Sequence, residues 1–398
     1  MVSAIKRNTP SPPVLKLFMF SGLVWAAVVG PTSAVLILAG IGATSAQIGV
    51  VTAICAVVAM IFAPVFGYVA DKVGSPRTVL SCCLLVSAAF FGMVLFSQDF
   101  YIVAILLILE AMFRSGIVAL LDSHILSETK AIPGLQYSHI RLSGSVAFGS
   151  ISLFYSFVIN DGGVMAIVPI SLGIAAAAVI WGIVIAKGRW EGMGNPDHQV
   201  RRAKSNIKKD AINLLRNKPF VMLVFFTGLS ALSIMPMFVF LIEFVTVLGG
   251  TPGQVPLIQA MRCLVEIPVF VYIGSKCKNT APKKLMTIGA ALTIAYTIGI
   301  FFADSFMVLM LSHAVAGAPG FILLLTGRLR YLNMVTPEAV RSTSITLMGT
   351  GEIAIGSIMG NLLAGFVLYN FGTGHLALLA FGSISTALIL LKFMPARY

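Results

Sequence analysis

Glu110, Arg114, Asp122, Arg141, Arg262, Glu266 and Glu352 all interrupt long apolar runs. Their spacing limits the chemistry they can do. Glu110 and Arg114 stand four apart in "LILEAMFRSGIV", and Arg262 and Glu266 repeat that interval in "QAMRCLVEIPVF". At this interval a carboxylate and a guanidinium meet on one helix face. Arg114 and Asp122 are eight apart, so they share a face as well. Glu352, in "LMGTGEIAIGSIMG", has no basic residue within four positions. An unpaired carboxylate in such a setting is a candidate proton carrier. Charges of this kind either staple helices together or bind a polar solute and its protons, and both readings stand for each pair. Catalysis is poorly served, since there is no phosphate-binding loop, zinc spacing or nucleophile motif with partners. The chain reads as a non-enzyme with no cofactor and no resident metal. Its five cysteines (Cys55, Cys82, Cys83, Cys263 and Cys277) are scattered and read as small buried apolar residues.

The elements that carry these residues follow from composition. Of 398 residues, 58% are hydrophobic and 10% charged, against about 25% charged in a soluble chain. Apolar runs of about 20 residues, each long enough to cross a bilayer as a helix, recur throughout. Twelve spans are expected at 14–39, 47–70, 78–97, 101–126, 138–160, 163–187, 219–247, 254–275, 285–303, 307–332, 343–369 and 375–394. Alternate breaks ("GIGATSAQ", "QDF", "DGG", "GGTPG", "ADS", "YNFGTGH") lack Lys and Arg. The others hold Lys72, Arg77, Lys130, Arg189, the run "RRAKSNIKK", Lys276, Lys278, Lys283, Lys284 and Arg341. Basic loops mark the cytoplasmic side. The expected protein is therefore all-α, multi-pass and integral to the membrane, with both termini cytoplasmic, in a bacterial inner membrane or a eukaryotic plasma membrane. The net charge of +13 sits in these short loops and argues against a nucleic-acid partner.

A basic stretch at 188–218 divides the spans six and six, giving bundles at 1–187 and 219–398. Its second part, "IKKDAINLLRNKPF", reads as a short surface helix. The halves echo each other: "HIRLSGSV" at the start of span five has a counterpart in "AVRSTSIT" 200 residues later. Repeated halves mark secondary transporters, with the solute site between them.

The short break "GYVADKVGSPRTVL" carries Asp71, Lys72 and Arg77 between two apolar spans. It reads either as a solvated basic turn or as a latch that holds one face closed. With Gly67, Asp71, Lys72, Gly74 and Arg77 it resembles the loop motif of the major facilitator superfamily, although Ser75 and Pro76 stand where a basic residue is usual. The resemblance implies two six-helix bundles around a central cavity, working by alternating access, with these five residues in gating.

The segment "LLDSHIL…YSHIRLSGSVAF" further resembles the lactose permease-like, phenylpropionate and nucleoside proton symporter branch. That resemblance assigns substrate contacts to Asp122 and Arg141, which are expected to pair across the loop joining spans four and five. Phe148 stands where the lactose permease has a stacking Trp, and span ten lacks the His and Glu of that permease. Arg114 and Glu266 are further candidates for the solute site, and Glu266 and Glu352 for proton coupling. Glu243 falls near the outer end of span seven, where a gate role is open. His313 reads as cavity-lining or structural. Arg328 and Arg330 read as headgroup anchors or as a latch toward Asp71. Trp25 offers a stacking face or simple packing.

The function expected is a monomeric secondary transporter that carries a small polar organic solute, a sugar, nucleoside or organic acid, by proton symport, with Na⁺ as an alternative coupling ion. Proton-coupled efflux of drugs or lipids is a second reading. A membrane receptor or scaffold that has kept the fold is a third.

Overall fold

The computed structural model describes residues 12–131, 137–187, 213–277, 279–337 and 340–395. Residues 207–212 of the expected linker helix, Arg189, the "RRAKSNIKK" run, Lys278 and the side chains of Lys130 and Arg341 lie outside the described residues, and 213–216 are helical. Among the described residues, twelve helices have membrane length and hydropathy. They are α1 (Val14–Gly40), α2 (Ser45–Val73), α3 (Pro76–Phe96), α4 (Phe100–Leu126), α5 (Ile140–Gly162), α6 (Val164–Val184), α7 (Lys218–Val239), α8 (Gln254–Lys276), α9 (Pro282–Phe301), α10 (Phe306–Val335), α11 (Thr343–Phe371) and α12 (Thr373–Phe393). The ends agree with the sequence expectation to a few residues, except in span seven. There Pro236 lies inside the helix, which stops at Val239 and resumes after Phe240 as a short helix, Leu241–Val247.

Local chemistry sets the turns. Gly74 closes α2 with φ +70°, a left-handed conformation that a side chain would strain. Ser75 then caps α3 by accepting from the Thr78 amide, and Pro76 occupies the first helical turn, where its missing N–H costs nothing. This explains the departure from the usual loop motif: Ser75 and Pro76 start a helix. At the other end of α2, Thr44 and Gln47 form a reciprocal capping box. Asp99 caps α4 by accepting from the amides of Tyr101 and Ile102. Asn217 caps α7 and donates to the Val335 carbonyl at 3.1 Å, tying α7 to the end of α10.

Among the described residues, three further spans are irregular. The α-helix of α1 breaks after Pro31, where the Thr32 and Ser33 hydroxyls both return to the Val29 carbonyl. Segments of π-helix replace α-helix at Ser312–Gly317 in α10 and at Glu352–Met359 in α11. Such wide turns occur mostly where a helix carries function.

The cores divide by depth. The basic end denotes the ends of the spans nearest Lys72, Lys276 and Lys283, and the far end the opposite ones. One buried cluster at the far end draws on both bundles, packing Ile37, Ile48 and Val103 with Phe240, Val245 and Leu376. Toward the basic end there are two separate clusters. One contains only first-bundle residues, such as Phe20, Leu80 and Leu121; the other contains only second-bundle residues, such as Phe220, Tyr331 and Leu391.

Candidate functional site

A cavity of about 240 Å³ lies where the bundles meet in the far half of the molecule. The broken turn of α1 contributes Thr32 and Ser33, α5 contributes Phe148 and Ser152, α7 contributes Phe238 and α8 contributes Gln259. Two aromatic faces with hydroxyl and amide groups suit a small solute that is part ring, part polar. Phe148, a sequence candidate, is therefore in the wall.

Gln259, Arg262 and Glu266 follow at helical spacing on one face of α8, so the polar stripe runs from the cavity toward the basic end. Glu266 is ten residues from Lys276, about 15 Å at 1.5 Å per residue, and so near mid-span. Arg262 Nη2 meets Glu266 Oε1 at 2.9 Å. Its Cζ lies 4.1 Å from the Phe238 ring centroid and 4.9 Å from that of Phe321. The guanidinium is thus held by two aromatic rings from α7 and α10. Its Nε is buried without a partner among the described residues.

The opposite bundle presents Arg141. Its Cζ sits 4.0 Å over the Trp25 ring of α1. Gly144 makes this stack fit, because a Cβ there would stand 2.5 Å from Arg141 Nη1 and 2.8 Å from Trp25 Cδ1. α5, which carries Arg141, packs against α8, which carries Glu266, across the bundle interface. The expected Asp122–Arg141 ion pair is not formed among the described residues: Arg141 is turned onto Trp25, and Asp122 has a partner of its own. The two helices follow each other in sequence but touch only slightly; α5 packs instead on α1, which carries Trp25, and on α8.

Glu110 and Arg114 form the expected pair, with Arg114 Nε donating to both carboxylate oxygens at 2.9 and 3.0 Å. Ser87 of α3 donates to the same carboxylate at 2.9 Å, and Glu110 is 1% exposed. This pair is neutralised inside the first bundle and does not line the cavity.

Glu352 overturns its expectation. It is not unpaired, because Arg328 Nη1 of α10 reaches Glu352 Oε1 at 2.9 Å. Arg328 is correspondingly not a headgroup anchor or a latch toward Asp71. The pair joins α10 to the first residue of the π-segment in α11, and both side chains keep partial exposure, 13% and 20%. Arg330 donates to the Cys277 carbonyl at 2.6 Å and so ties α10 to the end of α8. His313 resolves as structural. It is buried in the π-segment of α10, donates from Nδ1 to the Leu309 carbonyl, and accepts at Nε2 from the Tyr296 hydroxyl at 3.0 Å.

Among the described residues, two side-chain hydrogen bonds join the bundles at the far end. Ser45 donates to Glu243 Oε1 at 2.6 Å, and Thr251 donates to Asn160 Oδ1 at 2.9 Å. Glu243 is therefore part of the closed face. At Gly49 and Gly365, α2 and α11 touch backbone to backbone. At the basic end, by contrast, a Cβ on Gly67 would meet open space. Asp71 has a partner, Lys72 is exposed, and His124 Nδ1 lies 3.8 Å from Glu128 Oε1 on the helix running on from α4. Glu128 lies past the end of the span. Burial pushes its carboxyl above the usual range, and Arg77 opposes that shift.

Twelve spans in two bundles, sealed together at one end around a polar interface, define a secondary transporter of the major facilitator type. The chain belongs to the MFS_1-like family, which it matches over residues 18–378; this sets it among transporters rather than enzymes. No curated protein matches the chain in sequence. Among solved structures it resembles a mutant form of the nucleoside transporter NupG, with a TM-score of 0.81 at 17% identity over 96% of this chain and 99% of that one. It also resembles a bacterial homologue of the human lysosomal transporter Spinster in an inward-facing, unoccupied conformation (0.66, 13%, 96% and 95%). A mutant of the peptide transporter POT in complex with alafosfalin aligns at 0.69 and 14%, over 96% and 94%. Identities this low speak for the shared fold.

Proposed function

We propose that this protein imports a small polar organic solute, of sugar, nucleoside or organic-acid type, by alternating access coupled to protons. The observation that carries this reading is the division of the cores, one shared by both bundles at the far end and two separate ones at the basic end. That is the geometry of a rocker closed on one side and open on the other. With the basic end cytoplasmic, both termini are cytoplasmic and the open side faces inward.

The solute sits between Phe148 and Phe238, with Arg141 and Glu266 beneath it. Asp122 acts from the first bundle, and the Gly67–Arg77 segment takes part in closing the open side. Coupling falls to Glu266 and Glu352, whose carboxylates each hold one arginine. A proton on Glu352 releases Arg328 and loosens α10 from the π-segment of α11, so protonation is converted into helix movement. Na⁺ in place of the proton is distinguished in the same assay.

The test is uptake by proteoliposomes of a solute found by thermal shift among sugars, nucleosides and aromatic acids. An inward proton gradient should drive accumulation, and a protonophore should abolish it. Glu352→Gln should retain exchange and lose accumulation. Accumulation that follows a Na⁺ gradient instead, or none beyond equilibration, rejects proton symport.

A further inference from the structure

The charges at the bundle interface do not balance. Arg262 pairs with Glu266 at 2.9 Å, while Arg141, on the helix of the other bundle that packs against α8, lies on Trp25 and has no ion pair among the described residues. Asp122 is engaged with its own partner and makes no ion pair with Arg141 among the described residues. His313 is turned to Leu309 and Tyr296 and supplies no counter-charge. Arg141 is half-buried, and a cation inside a span without its counter-charge is costly, so the arrangement is incomplete as it stands.

Arg262 is also built as a receptor. Phe238 and Phe321 fix the plane of its guanidinium. Of its hydrogen-bonding edge, Nη2 is used on Glu266 while Nε stays buried and unpartnered among the described residues. A planar guanidinium with a free N–H matches a carboxylate in size and charge. Gln259, one turn away on the same face of α8, lines the cavity, and so does Phe238 itself. An acid group on Arg262 would therefore project its body into that space.

We propose that Arg262 is an anion subsite and that the transported solute carries one carboxylate. The surplus of one positive charge fits a monoanion; a phosphate dianion would overshoot it. The 240 Å³ cavity holds about eight water-sized groups at ~30 Å³ each, enough for a monosaccharide-sized or single-ring body. This inference rests on the reading of the cavity as the transport site. It makes Arg262 the residue that selects acids over their neutral counterparts, with Glu266 as the internal carboxylate that the solute displaces or shares.

The experiment uses purified full-length protein in chloride-free buffer. Affinities are measured by thermal shift for matched pairs: glucuronate against glucuronamide, and phenylacetate against phenylacetamide. At least one acid should bind tenfold or more tightly than its amide. Arg262→Gln should reduce that ratio to about one. Glu266→Gln, which removes the competing carboxylate, should raise the acid-to-amide affinity ratio further. This second variant decides the matter if Arg262→Gln fails to fold.

Equal binding of acid and amide overturns the inference while leaving a transporter of neutral polar solutes standing. An acid preference that survives Arg262→Gln places the anion elsewhere and overturns it too, as does stabilisation by sodium chloride equal to that by the acids. If neither acids, amides, sugars nor nucleosides bind, the inference and the polar-solute reading fail together.

Discussion

The far end and the basic end of this molecule are built from the same twelve helices but packed by different rules. At the far end, hydrophobic residues of both bundles form one core, glycines let α2 and α11 touch at the backbone, and Ser45–Glu243 and Thr251–Asn160 bond across the seam. At the basic end each bundle keeps its own core. The lesson is where movement is cheap. Opening the far end separates a shared core and strips two hydrogen bonds. Closing the basic end asks only that two finished surfaces meet. A transporter must make these costs nearly equal, and the small contacts at the seam are where the balance is set.

The largest test of this contrast is a wedge. A Cβ on Gly49 would stand 2.6 Å from the Asn361 carbonyl and 3.0 Å from Gly365 Cα, so Gly49→Leu cannot keep the far end shut as it is. Overpacking of this kind costs about 1–3 kcal/mol, a shift of about 5- to 150-fold toward a far-end-open state. The reactivity of Ser152→Cys toward a thiol reagent added from the far side should rise by that order.

A smaller effect is expected from Ser45→Ala, which removes a hydrogen bond to a part-exposed carboxylate. About 1 kcal/mol is lost, close to a fivefold shift in the same direction, and the same labelling assay reads it. If Ser45→Ala has no effect while Gly49→Leu does, backbone contact alone sets the seam.

The smallest effect lies at the basic end. A carboxyl raised in the folded state, as at Glu128, stabilises the fold below its unfolded pKa, and that contribution is lost as pH rises through its folded value. Glu128→Gln should therefore flatten the fall in stability from acid to neutral pH. At neutral pH it should raise the melting temperature by about 1 °C.

Much of the fold was legible because its signals are local. Span length, the Lys/Arg asymmetry of the loops and the Gly74–Ser75–Pro76 turn each depend on a few neighbouring residues. The Glu110–Arg114 and Arg262–Glu266 pairs were legible for the same reason, since one helix fixes both partners. What was missed depends on rotation and on distant chain. Asp122 and Arg141 sit on helices consecutive in sequence, but α5 packs mainly on α1 and α8, and Arg141 turns to Trp25 of α1. Glu352 looked unpaired because its partner, Arg328, comes from another helix. The rings around Arg262 come from α7 and α10, which no spacing in α8 reveals. Gly144 was the one sequence sign of the Arg141 stack, but a lone glycine in a span has many explanations. The π-segments left no pattern beyond the glycines of "GTGEIAIGSIMG".

The central claim is that the two ends open in opposition. It is tested most directly by spin-label distances on a background with the five native cysteines replaced. One pair would join Asp161 to Val247 at the far end, and the other Val73 to Lys276 at the basic end. In the unmodified seam the far-end pair should be short and narrow, and the basic-end pair long. Adding Gly49→Leu should lengthen the first and shorten the second. Distances that change in the same sense, or a basic-end distance that stays fixed while the far end opens, would contradict alternating access in this protein.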